Sequence, residues 1–399
     1  MKIIVLGYLV RGPLGGMAWH HLQYVVGLAR LGHEVYFIED SGDEPACYDP
    51  TRWVTDADPS FGLRFARQAF DRLGLGDRWG YWDQHTTRWL GPLGDRARGL
   101  CESAAVVLNV SGINPLRPWL MQAPRRVLID TDPAFTQIRH LTEPSAMALA
   151  KQHNAFFTFG ENFGKRGCSI PDDGLWWYPT RQPVVLDLWP VTPAPAPPPP
   201  PPEEPITTVM QWQSYPPREW EGVQYGQKSL SFAPYMTLPQ RSGATFELAI
   251  GGGAPADELR AHGWRIVDVL EATRDPWRYQ QFIQHSRAEW GVAKHGYVAS
   301  HSGWFSERTL AYLASGRPAI VHDTGWTDFL PTCPGVLPFS DPDQAAAAVA
   351  ALDDGYAQRC HAARDWVAAH FAAEQVLPPL LEIRDLADSA LDDLGYARA

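Results

Sequence analysis

Residues 301–321 read HSGWFSERTLAYLASGRPAIV, and this stretch decides the fold class. A polar, glycine-containing loop precedes a predicted helix at 305–315, which Gly316 and Pro318 end. The apolar residues that follow predict a short buried strand at 319–322. A loop, a helix and a strand in this order are typical of an α/β domain with a parallel sheet.

The same alternation of strands and helices extends over both halves of the chain. In the N-terminal half, a helix is predicted at 19–31, with strands at 2–6, 34–38, 104–110, 126–129 and 155–159. In the C-terminal half, strands are predicted at 207–212, 246–250, 265–269 and 319–322. Helices are predicted there at 229–236, 256–262, 276–290, 305–315, 345–352, 356–371 and 380–391. This pattern predicts a doubly wound parallel sheet in each half.

A proline-rich segment at 191–205 lies near the midpoint of the 399 residues. Because proline favours extended polyproline II backbone, the segment is either a linker between domains or a variable surface insertion. The linker interpretation predicts an N-terminal Rossmann-like domain at 1–190, a C-terminal one at 206–370 and a helical tail at 371–399. Two such domains would face each other across a cleft, where the carboxyl ends of their strands position ligands.

The composition narrows the class of protein. Hydrophobic residues make up 45% of the chain, which is enough for a core in each half, and the formal net charge is −11. That acidic balance argues against nucleic acid or an anionic membrane as the main partner. Five scattered cysteines predict a reducing, cytoplasmic location, and no apolar stretch is long enough for stable membrane insertion. We expect the apolar N-terminus to be a first strand rather than a signal peptide.

The first candidate site is the loop between the first predicted strand and the first predicted helix. Gly12, Gly15 and Gly16 would let backbone amides approach an anion at the helix N-terminus, although a tight turn without a ligand needs the same glycines. Their order is not the GxGxxG of dinucleotide sites. Of His20 and His21, one would face the cleft and accept a proton or bind a hydroxyl; packing explains either histidine equally well.

The second candidate site is the start of the helix at 305–315. Ser302 and Ser306 can cap the helix or donate to phosphate oxygens, and Arg308 can neutralise a diphosphate. Glu307 can accept two hydrogen bonds from a ribose diol, although the helix dipole alone also favours an acid in the first turn. This is the densest group of candidate residues in the chain.

A further candidate follows the predicted strand at 126–129. Asp132 is interpreted either as a base that orients a substrate or as a turn-forming aspartate before Pro133. The thirteen histidines include no HExxH pattern and no clustered carboxylates accompany them, so the sequence predicts no metal site and no cofactor.

These motifs resemble a known family. Residues 15–20, Gly-Gly-x-x-x-His, together with 28–35, resemble the opening of family-4-type glycosyltransferases. Residues 310–318, LAYLASGRP, resemble the nucleotide-binding helix of those enzymes and the turn that follows it. The variant at 302–308, with Asp-Thr-Gly at 323–325, is closer to the spore-maturation-type glycosyltransferase-like group.

The resemblance implies a GT-B fold and a metal-independent transferase. Its C-terminal domain would hold a nucleotide-sugar donor, and its N-terminal domain would hold an acceptor of unknown identity. His20 and Asp132 are the catalytic candidates. The implied donor-binding residues are Gly15, Gly16, Lys228, Ser302, Ser306, Glu307, Arg308, Asp323 and Thr324.

The sequence departs from the family pattern at one place. The family often carries two glutamates seven residues apart near this helix, and aligning the glycine and proline that end the helix puts Trp304 and Ala311 at those positions. Glu307 lies one helical turn before Ala311 and is a candidate substitute. Sugar transfer is the expected function. The alternatives are a nucleotide-sugar epimerase or phosphorylase on the same fold, and a non-catalytic sugar-nucleotide-binding protein.

Overall fold

The computed structural model describes residues 1–42, 46–191 and 204–382. Most of the proline-rich segment at 191–205 lies outside these ranges, and so does the predicted helix at 380–391 beyond its first residues. The described residues form two separate large sheets, one entirely parallel and one parallel except for a single edge strand, with helices connecting the strands. The two sheets confirm the predicted α/β fold class with two Rossmann-like units.

The N-terminal sheet is built around a central first strand. Its strands, with those of one hairpin beside it, are β1 (Lys2–Leu6), β2 (Glu34–Asp40), β3 (Cys47–Asp49), β4 (Val54–Asp56), β5 (Trp79–Asp83), β6 (Arg88–Leu90), β7 (Val106–Val110), β8 (Arg125–Asp130), β9 (Ala155–Thr158) and β10 (Trp177–Pro179). The order is β10-β9-β8-β7-β1-β2-β5-β6, and β6 alone in that sheet runs antiparallel to its neighbour. The hairpin β3–β4 lies apart. β1 is apolar throughout its buried length because helices cover both faces of a parallel sheet.

The C-terminal sheet has six strands in the described ranges, all parallel. The strands of this half are β11 (Ile206–Gln211), β12 (Arg218–Trp220), β13 (Val223–Tyr225), β14 (Phe246–Gly251), β15 (Arg265–Val267), β16 (Ala288–Gly291), β17 (Ala319–His322) and β18 (Val336–Phe339). The sheet order is β15-β14-β11-β16-β17-β18, and β12 and β13 form a separate hairpin. The order reverses beside β11, which is where ligands bind in open α/β sheets.

Helices connect the strands in both units. They are α1 (Gly15–Arg30), α2 (Ser60–Arg72), α3 (Arg96–Glu102), α4 (Phe135–Thr142), α5 (Pro144–Ala150), α6 (Lys228–Phe232), α7 (Leu238–Ser242), α8 (Ala256–Ala261), α9 (Val269–Thr273), α10 (Pro276–Gln284), α11 (His295–Ala299), α12 (Glu307–Ala314), α13 (Pro342–Ala350), α14 (Tyr356–His370), α15 (Ala373–Val376) and α16 (Pro378–Leu381). None of the helices in these ranges has both the length and the apolar character needed to cross a membrane.

The predicted helix at 276–290 is wrong in its second half. Helix α10 ends at Gln284, and Ala288–Gly291 is strand β16, which lies between β11 and β17. All four residues of β16 are buried, so the strand shows no polar alternation that would distinguish it from a buried helix. The sequence pattern therefore predicted a longer helix than the structure contains.

The end of the described chain returns to the N-terminal unit. The Val184 amide donates to the Phe371 carbonyl oxygen at 2.8 Å, and the Ala373 amide donates to the Val184 carbonyl oxygen at 2.9 Å. Arg125 at the start of β8 donates from Nε to the Leu380 carbonyl oxygen at 2.8 Å. Helix α15 also packs against α1, so the described chain ends beside the N-terminal unit.

Candidate functional site

A cavity of about 910 Å³ lies between the two sheets. Its N-terminal wall contains residues that follow β1, β7 and β8, including Tyr8, Ser111 and Asp132. Its C-terminal wall contains residues at or after the ends of β11 and β16, including Gln211 and Lys294. Because the carboxyl ends of the strands of both sheets face this cavity, it lies where α/β folds bind ligands.

The cavity wall is rich in positive charge. It contains five basic side chains and two acidic ones, an excess of three positive charges in a chain whose net charge is −11. A cleft lined by one sign of charge attracts ligands of the other sign, so the wall favours an anionic ligand. The basic residues are Arg139, Arg218, Lys228, Lys294 and Arg308, and the acidic ones are Asp132 and Glu307.

Lys228 is the first residue of α6 and belongs to the cavity wall. The described residues supply no hydrogen bond or ion pair to its ammonium group. Burial, followed by the neighbouring charge of Arg308, holds the pKa of Lys228 well below its ordinary value. An anion bound here would restore that pKa, so the position is suited to a phosphate-bearing ligand.

Glu307 begins α12 and lies at the boundary between the two Rossmann-like units, here called the N-terminal and C-terminal lobes. Its carboxylate has no hydrogen-bond or ion-pair partner in the described chain, and Ser306 beside it also belongs to the cavity wall. Burial lowers the pKa of His20 in the N-terminal lobe, and the charge of Glu307 partly opposes this effect. The same charge acts on Lys228 in the C-terminal lobe, so the carboxylate is close to both.

Arg308 is also in the wall, but it has a protein partner. Its Nε donates to Glu289 Oε1 at 2.5 Å, and its Nη1 donates to the Val209 carbonyl oxygen at 3.2 Å. Burial alone would lower the pKa of Arg308, and the charge of Glu289 raises it above its ordinary value. The guanidinium is thereby fixed in the cavity wall, where it adds positive potential next to Lys228.

Asp132 connects the two lobes. Lys294 Nζ donates to Asp132 Oδ1 at 2.8 Å, and the hydroxyls of Tyr215 and Tyr297 donate to the same carboxylate. Burial would raise the pKa of Asp132, but Lys294 and the two hydroxyls hold it below its ordinary value. The carboxylate is therefore a weak base and an effective bridge between lobes. Tyr215 and Tyr297 had no sequence signal that would have connected them to Asp132.

The two neighbouring histidines have different surroundings. His20 belongs to the cavity wall, with Nε2 3.5 Å from Ser111 Oγ and Nδ1 without a partner in the described chain. His21 is fully buried beside Phe37, and burial holds its pKa well below the ordinary value. Since adjacent helical residues point about 100° apart, one of the two faces the cavity and the other the core.

The loop between β1 and α1 and the first turn of α1, which together contain Gly12, Gly15 and Gly16, were predicted to let backbone amides approach an anion. In the structure their surroundings differ from that expectation. A Cβ at Gly15 would overlap the Asp275 carbonyl oxygen and lie 2.8 Å from Tyr279 Cβ, whereas Gly16 belongs to the cavity wall. Gly15 therefore permits close contact between α1 and α10. The backbone amides of Leu9, Val10 and Arg11, in the loop before α1, already donate to the carboxylate of Glu39.

Glu39, near the end of β2, is fully buried, and its carboxylate accepts hydrogen bonds from the backbone amides of this loop. Its Oε2 accepts from the Leu9 and Val10 amides at 2.6 and 2.7 Å, and its Oε1 accepts from the Arg11 amide at 2.7 Å. Three converging amides form an anion site, and the carboxylate of the chain itself fills it. No pattern in the sequence singled out this residue.

Three predicted donor residues lie outside the cavity wall. The Ser302 hydroxyl donates to the Tyr297 carbonyl oxygen at 3.1 Å, and the Thr324 hydroxyl donates to the Trp304 carbonyl oxygen at 2.6 Å. Asp323 accepts from the Gly325 amide and the Thr327 hydroxyl. These polar groups stabilise the loops on either side of α12 and β17 rather than facing the cavity.

Arg139 and Arg218 are cavity residues that the sequence did not single out. Arg139 lies on α4, and Arg218 lies on β12 and pairs with Glu143 at 2.9 Å. Arg139 is four residues after Phe135, another wall residue, and therefore lies on the same helical face. Arg218 belongs to a hairpin that the sequence did not predict.

No known sequence family and no curated protein matches the chain. Solved structures do. They include an alpha-glucosyltransferase in complex with UDP and a 13-mer DNA (9% identity, TM-score 0.58, 96% of this chain and 99% of the other). They also include sucrose-phosphate synthase from Thermosynechococcus elongatus (14%, 0.51, 94% and 96%) and Anabaena HepE in complex with UDP and glucose (10%, 0.52, 94% and 97%).

These likenesses extend over nearly the whole of each chain, so they concern both lobes and their arrangement. At identities of 14% or less they establish architecture and leave activity to the site itself. The chain therefore has the two-domain GT-B fold that these glycosyltransferases share.

Proposed function

We propose that this protein is a glycosyltransferase that moves a hexosyl group from a nucleoside-diphosphate sugar to an acceptor. The proposal rests on two ionisable side chains, Lys228 and Glu307, which line one positively charged cavity between the lobes. Neither has a hydrogen-bond or ion-pair partner among the described residues. A nucleotide sugar offers what both groups require, because it carries a diphosphate for the ammonium and hydroxyls for the carboxylate.

In this proposal the C-terminal lobe, 206–370, binds the donor. Lys228 contacts the diphosphate, and the Ser306 hydroxyl donates to one of its oxygens. Gly252, in the loop after β14, also belongs to this wall, and its φ of 72° favours glycine. Glu307 accepts hydrogen bonds from ribose or sugar hydroxyls.

The chemistry proposed for the site is stabilisation of a leaving group. As the bond between the anomeric carbon and the diphosphate breaks, negative charge grows on the phosphate oxygens, where Lys228 and Arg308 stabilise it without a metal. The acceptor hydroxyl is held by the N-terminal lobe, 1–190. His20 is a neutral imidazole at the cavity wall and is better suited to receive the proton than Asp132, whose oxygens already accept three hydrogen bonds.

The same proposal assigns the chain to the family-4-type and spore-maturation-type group whose motifs its sequence resembles. It also assigns a reducing, cytoplasmic location, which the five free cysteines support. Several of the similar structures hold UDP, so UDP is the first nucleotide to test.

A thermal-shift titration with UDP, GDP, dTDP and their glucose conjugates tests donor binding. One of these ligands should raise the melting temperature of the parent, because it binds the native state only. Lys228→Ala and Glu307→Gln should each weaken its binding by about 1.5–3 kcal/mol, the range for a hydrogen bond to a charged group. The exposed Lys151→Ala and Glu374→Gln variants should bind as the parent does.

The donor that binds should then release nucleotide faster when an acceptor is present, and the sugar should appear on that acceptor. Formation of an isomeric sugar from the donor alone would instead indicate an epimerase. If no nucleotide stabilises the parent, or if both cavity variants bind as the controls do, the proposal is wrong.

A further inference from the structure

Arg139 is an unpaired guanidinium in the N-terminal half of the cavity wall. Its Nε is buried and has no hydrogen-bond partner, and the described residues supply no ion pair to the group. On α4 it shares a helical face with Phe135 and Thr136, which also belong to the wall. The Arg139 side chain is half-buried, and a buried Nε without an acceptor in a cavity wall is a position where a ligand can supply that acceptor.

The position of Arg139 differs from that of Lys228. The largest charges that act on Lys228 belong to Arg308, Glu307, Lys294 and Glu289, all in the C-terminal lobe. The charge of Arg139 acts instead on Tyr215, the residue that joins Asp132 across the cleft. Arg139 lies on α4 in the N-terminal lobe and Lys228 on α6 in the C-terminal lobe, so the cavity wall has a cationic position in each lobe.

The surroundings of Arg139 are also basic. Arg218 reaches the same wall from β12 and is held there by Glu143, which lies four residues after Arg139 at the end of α4. The Glu143 carboxylate is thus already paired with Arg218, and the described residues supply no acidic partner to Arg139. A planar guanidinium matches carboxylate and phosphate oxygens in a two-point contact.

We propose that Arg139 binds an anionic group on the acceptor, so that the protein glycosylates an acceptor bearing a phosphate or a carboxylate. This inference rests on the proposed function, in which the N-terminal lobe holds the acceptor. It deepens that function by stating the chemical class of the acceptor. The anionic group also orients the acceptor, because one fixed contact in the N-terminal lobe limits the hydroxyls that reach the donor carbon.

The test uses three sugars that share a ring and differ in charge: glucose 6-phosphate, glucuronate and glucose. Each is titrated into the full chain, with and without the nucleoside diphosphate that stabilises it, and the dissociation constant is measured calorimetrically. At least one anionic sugar should bind at least about tenfold more tightly than glucose, and the comparison of the two separates a phosphate from a carboxylate. Arg139→Gln should remove that advantage.

Two controls make the result specific. Arg67→Gln, an exposed arginine on α2, should leave anionic-sugar binding unchanged. Lys228→Gln should weaken nucleotide binding and retain the preference for an anionic sugar. Equal binding of the three sugars, or an unchanged preference in Arg139→Gln, would overturn the inference while leaving nucleotide binding intact. Loss of the preference in Lys228→Gln instead of Arg139→Gln would show that the anion occupies the donor position, which would also overturn it.

Discussion

At the level of single residues, the charged side chains in and near the cavity fall into two groups. Some are bonded to other parts of the chain, and others have no partner among the described residues. Glu39, Arg308 and Asp132 are all buried or half-buried and bonded to other parts of the chain. Lys228 and Glu307 have no such partner among the described residues, although they belong to the same cavity. Both are half-buried, and a charge that leaves water without a partner is costly, so these two groups favour a ligand that pairs with them.

Glu39 gives a prediction about stability. Glu39→Ala leaves three amides of the loop after β1 without an acceptor, two of them buried and that of Arg11 half-buried, and it removes the ion-pair partner of Arg11. We therefore expect the free energy of unfolding to fall by roughly 3 kcal/mol. Urea denaturation measures this loss. Glu34→Ala on the exposed end of the same strand should change stability by less than about 0.5 kcal/mol. Equal effects of the two substitutions would contradict the assigned role of Glu39.

At the scale of elements, the contact between α1 and α10 fixes the lobes against each other. Trp19 on α1 donates from Nε1 to the Pro276 carbonyl oxygen at 2.7 Å, and its ring packs against Trp277. The N-terminus of α1 can approach this closely because its first residue is Gly15. The glycine therefore shapes the cleft from outside the cavity wall.

Gly15→Ala should disturb this contact. The added methyl group meets backbone atoms that cannot move aside, so we expect a loss of about 1–3 kcal/mol in stability, as for other overpacked interfaces. Weaker nucleotide binding should accompany the loss, since the lobes separate. The melting temperature and the radius of gyration from X-ray scattering report both effects.

Gly99→Ala is the matched control for Gly15→Ala. Gly99 lies in α3, is exposed and has open space where a Cβ would be placed, so the substitution should raise stability by about 0.4–1 kcal/mol. If Gly15→Ala also raises stability, the close contact of α1 with α10 is not important for holding the two lobes together.

At the scale of the whole molecule, the charge distribution and the buried histidines set how the protein responds to its solution. The chain carries a net charge of −11, yet the cavity wall has an excess of positive charge. An anionic substrate is therefore repelled by most of the surface and attracted into the cleft. Substrate association should depend on ionic strength for that reason.

Two buried histidines predict a loss of stability in acid. Burial lowers the pKa of both His153, in the N-terminal unit, and His322, in the C-terminal unit, to about 4. In the unfolded chain both take up protons below about pH 6.5, while the native state resists protonation until about pH 4. Stability should therefore fall as the pH decreases from about 6.5 to 4, by up to roughly 3 kcal/mol for each histidine.

Melting temperatures between pH 7.5 and 4.5 check this expectation. His322→Gln and His153→Gln should each reduce the dependence of the melting temperature on pH, because the substituted side chain does not titrate. The exposed His85→Gln variant should keep the dependence of the parent. Identical pH profiles for all four proteins would exclude these two histidines as the cause.

The α/β class, the position of α12 and nine of the fourteen strands in the two large sheets follow from the sequence, since short-range periodicity and turn residues specify local structure. The short strands β5, β6, β10 and β18 were not predicted. The sequence also singled out Glu307 from a local motif and, through the family resemblance, Lys228. It missed strand β16, whose fully buried residues lack alternation, and it gave no sign of Glu39 or Arg139.

Only the tertiary structure decided which charged groups are paired and which are free. Lys294 and Asp132 are 162 residues apart in the chain and 2.8 Å apart in space, and Glu39 meets amides about 30 residues before it. Such pairs depend on how the sheets and lobes pack, because the electrostatic interaction between two charges is set by their distance and burial rather than by their separation in sequence.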